Sequence, residues 1–119
     1  MSKKYLVTDD SKLARKTLIK SLREYVQEEF IFEASNGLEA LKLTLKEKPD
    51  IVFLDLTMPV MDGYATIPKI KDINPDIKII VVSADVQIKA KEKVYELGAT
   101  LHVQKPIRSD KMKAILEVI

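Results

Sequence analysis

The feature of this sequence that most restricts its fold is a fivefold alternation of two periodicities. Short runs rich in β-branched and aromatic residues recur at Lys4–Thr8 (KYLVT), Phe30–Ala34 (FIFEA), Asp50–Asp55 (DIVFLD), Lys78–Ala84 (KIIVVSA) and Thr100–Gln104 (TLHVQ). Each has the length and composition of a strand. Between them apolar residues return at helical spacing: Leu13, Thr17, Leu18, Leu22 and Tyr25, then Leu38, Leu41 and Leu45, and later Ala90, Val94 and Leu97. Parallel neighbours need a crossover, usually a helix, and such crossovers are right-handed. The pattern therefore predicts an α/β domain, a doubly wound parallel sheet with helices on both faces. The third and fourth runs lack polar alternation, as strands covered on both sides do. Punctuation agrees: Ser35-Asn36-Gly37 and Asp62-Gly63 read as turns, Gly98 as a helix C-terminal cap, and Pro49, Pro75 and Pro106 fall between elements. One conflict stands out. Pro68 lies a few residues past Gly63, which predicts an irregular first turn or a late start for the third helix.

The 119 residues fit one domain, residues 1–119, without internal repeat or linker. Lys and Arg total 20 against 18 acidic residues, with the signs interspersed, so there is no basic block of the kind that binds nucleic acid directly. With no cysteine and a single histidine, His102, the chain has no thiolate chemistry and no cysteine or multi-histidine metal site. A metal here must be held mainly by oxygen. The four-residue apolar stretch near the start is too short for a signal peptide, and no run approaches the length that spans a membrane. A cytoplasmic protein without membrane insertion is expected.

The third run ends on a carboxylate, Asp55. Burying that charge without partners costs several kcal/mol or forces the group to take up a proton. In open parallel sheets, ligands bind outside the carboxyl ends of the strands where strand order reverses. That rim would gather Asp9 and Asp10 after the first strand, Asp55 on the third, Ser83 on the fourth and Lys105 just after the fifth. Two negative charges about 4 Å apart repel by roughly 4 kcal/mol at an effective dielectric near 20. Three carboxylates must therefore protonate or recruit cations. Lys105 supplies one positive charge. The remainder points to Mg²⁺, which accepts one or two carboxylates together with phosphate oxygens. A hydroxyl and an ammonium opposite such an ion suit the other oxygens of a tetrahedral anion, so the expected guest is a phosphoryl group. Taken singly these residues say less: Asp10 also suits a helix cap, Asp55 a strand-end turn and Lys105 a solvated surface.

The segments "VTDDS", "FLDLTMPVMDG", "VVSAD" and "QKP", in that order and spacing, resemble the receiver domain of bacterial two-component response regulators, most closely the stand-alone chemotaxis type. The resemblance runs from Lys3 to the C-terminus. It implies a flavodoxin-like three-layer sandwich with strand order 2-1-3-4-5, bound Mg²⁺ (with Mn²⁺ able to substitute), and an aspartyl phosphate received from a histidine kinase's phosphohistidine. Carried onto this sequence, it makes Asp55 the phosphoacceptor. Asp10 would ligate the metal directly, Asp9 mostly through water and Thr57 through its backbone carbonyl. Ser83 and Lys105 would contact phosphoryl oxygens, with a cis Lys105-Pro106 bond. Thr57 and Asp85 would tune the lifetime of the phosphate. His102 stands where relatives usually carry a switching Tyr or Phe, which implies a weaker or pH-dependent switch.

Partners implied by the resemblance are a sensor histidine kinase or phosphotransfer protein and a downstream target protein. The target would dock on helix four, strand five and helix five, where "VQIKAKEKVYE" offers Lys91 and Tyr95. The chain closes near the fifth helix, so it is expected to act by touching another protein, or to be the receiver fragment of a longer multidomain regulator. Catalysis would be limited to self-phosphorylation and slow autodephosphorylation. A Mg²⁺-dependent phosphohydrolase with an aspartate nucleophile is disfavoured, because the second acid two residues on is here Thr57 and no cap insertion is present. A flavodoxin-like electron carrier is disfavoured because "DDSKLAR" would repel a flavin phosphate.

Overall fold

The computed structural model describes residues 2–85 and 87–119. Five strands, β1 (Tyr5–Thr8), β2 (Ile31–Ala34), β3 (Ile51–Leu54), β4 (Lys78–Ser83) and β5 (Leu101–Gln104), alternate with five helices. These are α1 (Lys12–Leu22), α2 (Gly37–Glu47), α3 (Gly63–Ile73), α4 (Ile88–Leu97) and α5 (Ser109–Val118). The strands form one parallel sheet in the order β2-β1-β3-β4-β5. The order reverses between β1 and β3, which leaves a crevice at their carboxyl ends. Among the described residues, no helix is long and apolar enough to cross a membrane.

Successive side chains of a strand point to opposite faces. In β3 this sends Ile51 and Phe53 into one apolar layer with Leu18, Leu22, Met112 and Ile115, from α1 and α5. Val52 and Leu54 enter the other, with Ile67, Ile70 and Val94 from α3 and α4. Both layers are sealed, which is why the strand reads as a continuous apolar run.

One expectation needs correction. Helix α3 begins directly at Gly63, with Pro68 inside it. The Asp62 side chain accepts from the Ala65 amide at 2.8 Å and the Thr66 hydroxyl donates to the Asp62 carbonyl at 2.6 Å. This capping fixes the first turn, and burial of Ile67 and Ile70 holds the helix through the proline. The helical spacing also marks helices better than it marks buried faces. Leu13, Leu38, Leu45 and Tyr25 are exposed. Helix α2 instead buries Gly37, Ala40 and Thr44, a stripe of small residues on which α3 packs closely.

Candidate functional site

The site grows from backbone register. Thr8 pairs with Leu54 across β1 and β3, and the Asp55 amide donates to the Thr8 carbonyl at 3.0 Å. The first residues beyond two adjacent strands, Asp9 and Asp55, thus leave the sheet side by side. Asp9, Asp10 and Asp55 each place a carboxylate oxygen within 4.8 Å of the others. Asp9 and Asp55 are buried and Asp10 is exposed. From β5, the Lys105 ammonium lies 2.6 Å from Asp9 Oδ2 and 3.4 Å from Asp55 Oδ1. The Lys105 amide donates to the Ser83 carbonyl at 2.9 Å, so β4 helps to set its position, and the Lys105-Pro106 bond is cis.

Electrostatics at the cluster are unbalanced. Burial, reinforced by the Asp9 charge, pushes the Asp55 carboxyl above its ordinary value, and Lys105 and the Leu56 amide only partly offset this. Burial also works against the Lys105 ammonium, yet the hydrogen bond to Asp9 and the two carboxylate charges hold its pKa above the ordinary value. Three carboxylates against one ammonium leave an excess of negative charge facing solvent.

Residues 5–117 match the response regulator receiver domain family. The chain belongs to that family. Over 114 residues this receiver is 39% identical to the chemotaxis protein CheY of Listeria monocytogenes, covering 96% of this chain and 95% of the relative. It is 34% identical over 113 residues to the sporulation initiation phosphotransferase F of Bacillus subtilis, covering 95% and 90%. Among solved structures, CheY in the CheX-CheY-BeF3-Mg²⁺ complex from Borrelia burgdorferi superposes with a TM-score of 0.89 at 27% identity, covering 99% of this chain and 90% of that one. The receiver is therefore of the chemotaxis and sporulation-phosphotransferase type, a phosphorylation-dependent signalling switch.

Four of the residues singled out in the sequence, Asp9, Asp10, Asp55 and Lys105, meet in one cluster. Ser83 ends β4, buried, and its hydroxyl oxygen accepts from the Asp85 amide at 3.0 Å, which leaves the O–H free to donate. Thr57 and Asp85 are exposed in the loops after β3 and β4. Lys91 and Tyr95 lie exposed on α4.

His102 does not join the site. It pairs with Val81 and faces the α4 side of the sheet, 8% exposed, with neither ring nitrogen bonded to a protein group. The Tyr95 hydroxyl accepts from its backbone amide at 3.1 Å. Burial, aided by the Lys91 charge and opposed by Asp85, lowers its pKa. The unfolded chain takes up a proton at about pH 6.5 while the folded chain resists, so stability contributed by the neutral ring is lost as pH falls below that value. Denaturation of the parent and of His102→Leu between about pH 7 and 5 is expected to show a steeper loss in the parent. Parallel profiles would refute this.

Sequence reasoning missed two features. Arg15 donates from Nη1 to the Asp9 carbonyl at 2.6 Å and from Nε to Glu33 Oε1 at 3.0 Å. Its place five residues past Asp10 offers no local signal, because Glu33 is brought near only by the pairing of β1 with β2. The second is Val60, whose φ is +69° at the centre of a tight turn closed by the Met61 amide on the Pro59 carbonyl at 2.7 Å. A β-branched residue there is strained. With 76% of its surface exposed, it gains no packing in return. Val60→Gly is expected to raise stability by about 1 kcal/mol, strain relief exceeding the added backbone entropy of glycine. A lower denaturant midpoint for the variant would overturn this.

Proposed function

We propose that Asp55 is the phosphoacceptor of one receiver unit spanning residues 1–119, taking a phosphoryl group from the phosphohistidine of a sensor kinase or phosphotransfer protein. The observation that carries this is a buried carboxylate held 3.4 Å from the Lys105 ammonium beside two further carboxylates. An Asp55 oxygen attacks phosphorus as the bond to the imidazole nitrogen breaks in line with it. Lys105 neutralises one equatorial oxygen of the transferring group, and the Ser83 hydroxyl would donate to another.

The donor set fits a hard divalent cation: carboxylate oxygens, no sulfur or imidazole, and excess negative charge. Asp10 and Asp55 would hold Mg²⁺ or Mn²⁺ directly, Asp9 mostly through water and Thr57 through its carbonyl. The ion would supply charge neutralisation for the carboxylates and the phosphoryl oxygens. Thr57 and Asp85, on the loops flanking the site, would govern access of the hydrolytic water. Chemistry beyond self-phosphorylation and slow loss of the phosphate is not part of this reading.

The surface formed by Lys91 and Tyr95 on α4, which packs beside β5, is with β5 and α5 the proposed docking face for a downstream protein in the cytoplasm. The Tyr95 hydroxyl on the His102 amide ties that face to β5. His102 is the proposed switch residue, coupling Ser83 at the end of β4 to α4. A coupling of about 1–3 kcal/mol between phosphate and docking face suffices for such a switch.

Incubation with acetyl phosphate and Mg²⁺ tests the assignment. A single phosphate at Asp55 with little turnover is expected. Sustained phosphate release from varied esters would replace this reading with a hydrolase.

A further inference from the structure

Asp9 and Asp10 are consecutive, yet their carboxylates converge. In extended backbone, neighbouring side chains point to opposite sides, so two successive residues share a cluster only when the peptide between them is turned and held there. The Asp9 amide is anchored to the Ala34 carbonyl at 3.1 Å, and the Asp9 side chain accepts from the Ser11 amide at 2.9 Å. Neither contact fixes the carbonyl that leads to Asp10. That carbonyl accepts from Arg15 Nη1 at 2.6 Å. The guanidinium is itself held, because Nε rests 3.0 Å from Glu33 Oε1 and the side chain is largely buried. A planar fork presenting donors on two edges can link a helix, a loop and a strand in this way, and a lysine cannot.

We propose that Arg15 is a positioning residue for the acidic cluster: braced by Glu33, its guanidinium sets the Asp9–Asp10 peptide so that Asp10 stays aimed at the cation. This rests on the divalent-cation reading of the cluster given above. Charge and position predict opposite signs here. Arg15 is a positive group beside a cation site, so its charge alone weakens cation binding and its removal would tighten it. As a brace, it strengthens binding and its removal loosens it. Outer partners that orient metal ligands are worth about 10–100-fold in affinity.

The test is titration of the full chain with Mn²⁺ and with Mg²⁺, without any phosphoryl donor, by calorimetry or by the amide resonances of residues 9–11. It is run well below the melting temperature, which is measured separately without metal. Arg15→Ala is expected to bind about tenfold more weakly than the parent, and Arg15→Lys, which keeps the charge but not the fork, to fall between them. Should Arg15→Ala fail to fold, Arg15→Lys carries the comparison. Equal or tighter binding by the variants, beside a parent that binds, overturns the role of Arg15 and leaves the cation reading intact. A parent that binds no better than Asp10→Asn overturns both.

Discussion

Asp55→Asn is expected to do two things that a purely structural residue would not combine: abolish phosphorylation and raise the melting temperature of the metal-free protein. The first follows from chemistry, since an amide oxygen is no nucleophile toward phosphorus under conditions where a carboxylate is. The second follows from the unbalanced site. The Asp9 charge raises the Asp55 pKa and the Lys105 charge lowers it, so the two oppose each other. Burial then decides the balance, and it opposes the ionised form. A carboxyl whose folded pKa is raised binds more protons folded than unfolded. Its charged form therefore weakens the fold at every pH above that raised value, neutral pH included. Asn removes the charge and keeps the shape, while Lys105 retains its 2.6 Å contact with Asp9. A gain of a few degrees is expected by calorimetry in the presence of a chelator, with no added mass after acetyl phosphate and Mg²⁺. If the variant melts below the parent, the Lys105–Asp55 attraction outweighs desolvation and this account of the site is wrong.

The same balance explains why so much of the site was legible in advance. Strand periodicity depends only on which side chains are apolar, and it put Asp9, Asp55, Ser83 and Lys105 at strand ends. A parallel sheet then has one rim on which strand ends can meet. Boundaries were less legible. Phe30 closes a short 3-10 turn (Glu28–Phe30) instead of opening β2, and Asp55 lies just past β3, because backbone pairing and not hydrophobicity ends a strand. The exposure of Leu13 and Leu45 was illegible for a related reason. Helical spacing shows that a face exists, and the close approach of α2 to α3 selected small residues for it. Arg15 and Glu33 belong to neither pattern. Their contact exists only once β2 lies beside β1, so no local window contains it.

Gly63→Ala is expected to be the most damaging conservative substitution near the site, because it strikes fold and chemistry through the same atoms. After β3 the chain doubles back: the Gly63 amide donates to the Leu56 carbonyl at 2.9 Å, closing the loop on its own beginning. A Cβ on Gly63 would press on the Asp55 carbonyl oxygen and come within 2.8 Å of Leu56 Cα. Both are backbone atoms next to a paired strand, and neither can swing aside as a side chain would. Overpacking of this kind costs about 3 kcal/mol, a fall of roughly 10 °C or more in melting temperature for a chain of this size. The displaced backbone carries Asp55 with it, and a misplacement near 1 Å lowers the rate of phosphorylation by about 100-fold. Gly98→Ala separates the two effects. Gly98 caps α4 at φ +115°, and an added Cβ would meet only the flexible side chain of Lys71, at 3.1 Å. That variant is expected to lose about 1–2 kcal/mol through backbone strain while taking up phosphate from acetyl phosphate at the parent's rate. Equal phosphorylation rates for Gly63→Ala and the parent would show that the loop's close packing does not position Asp55.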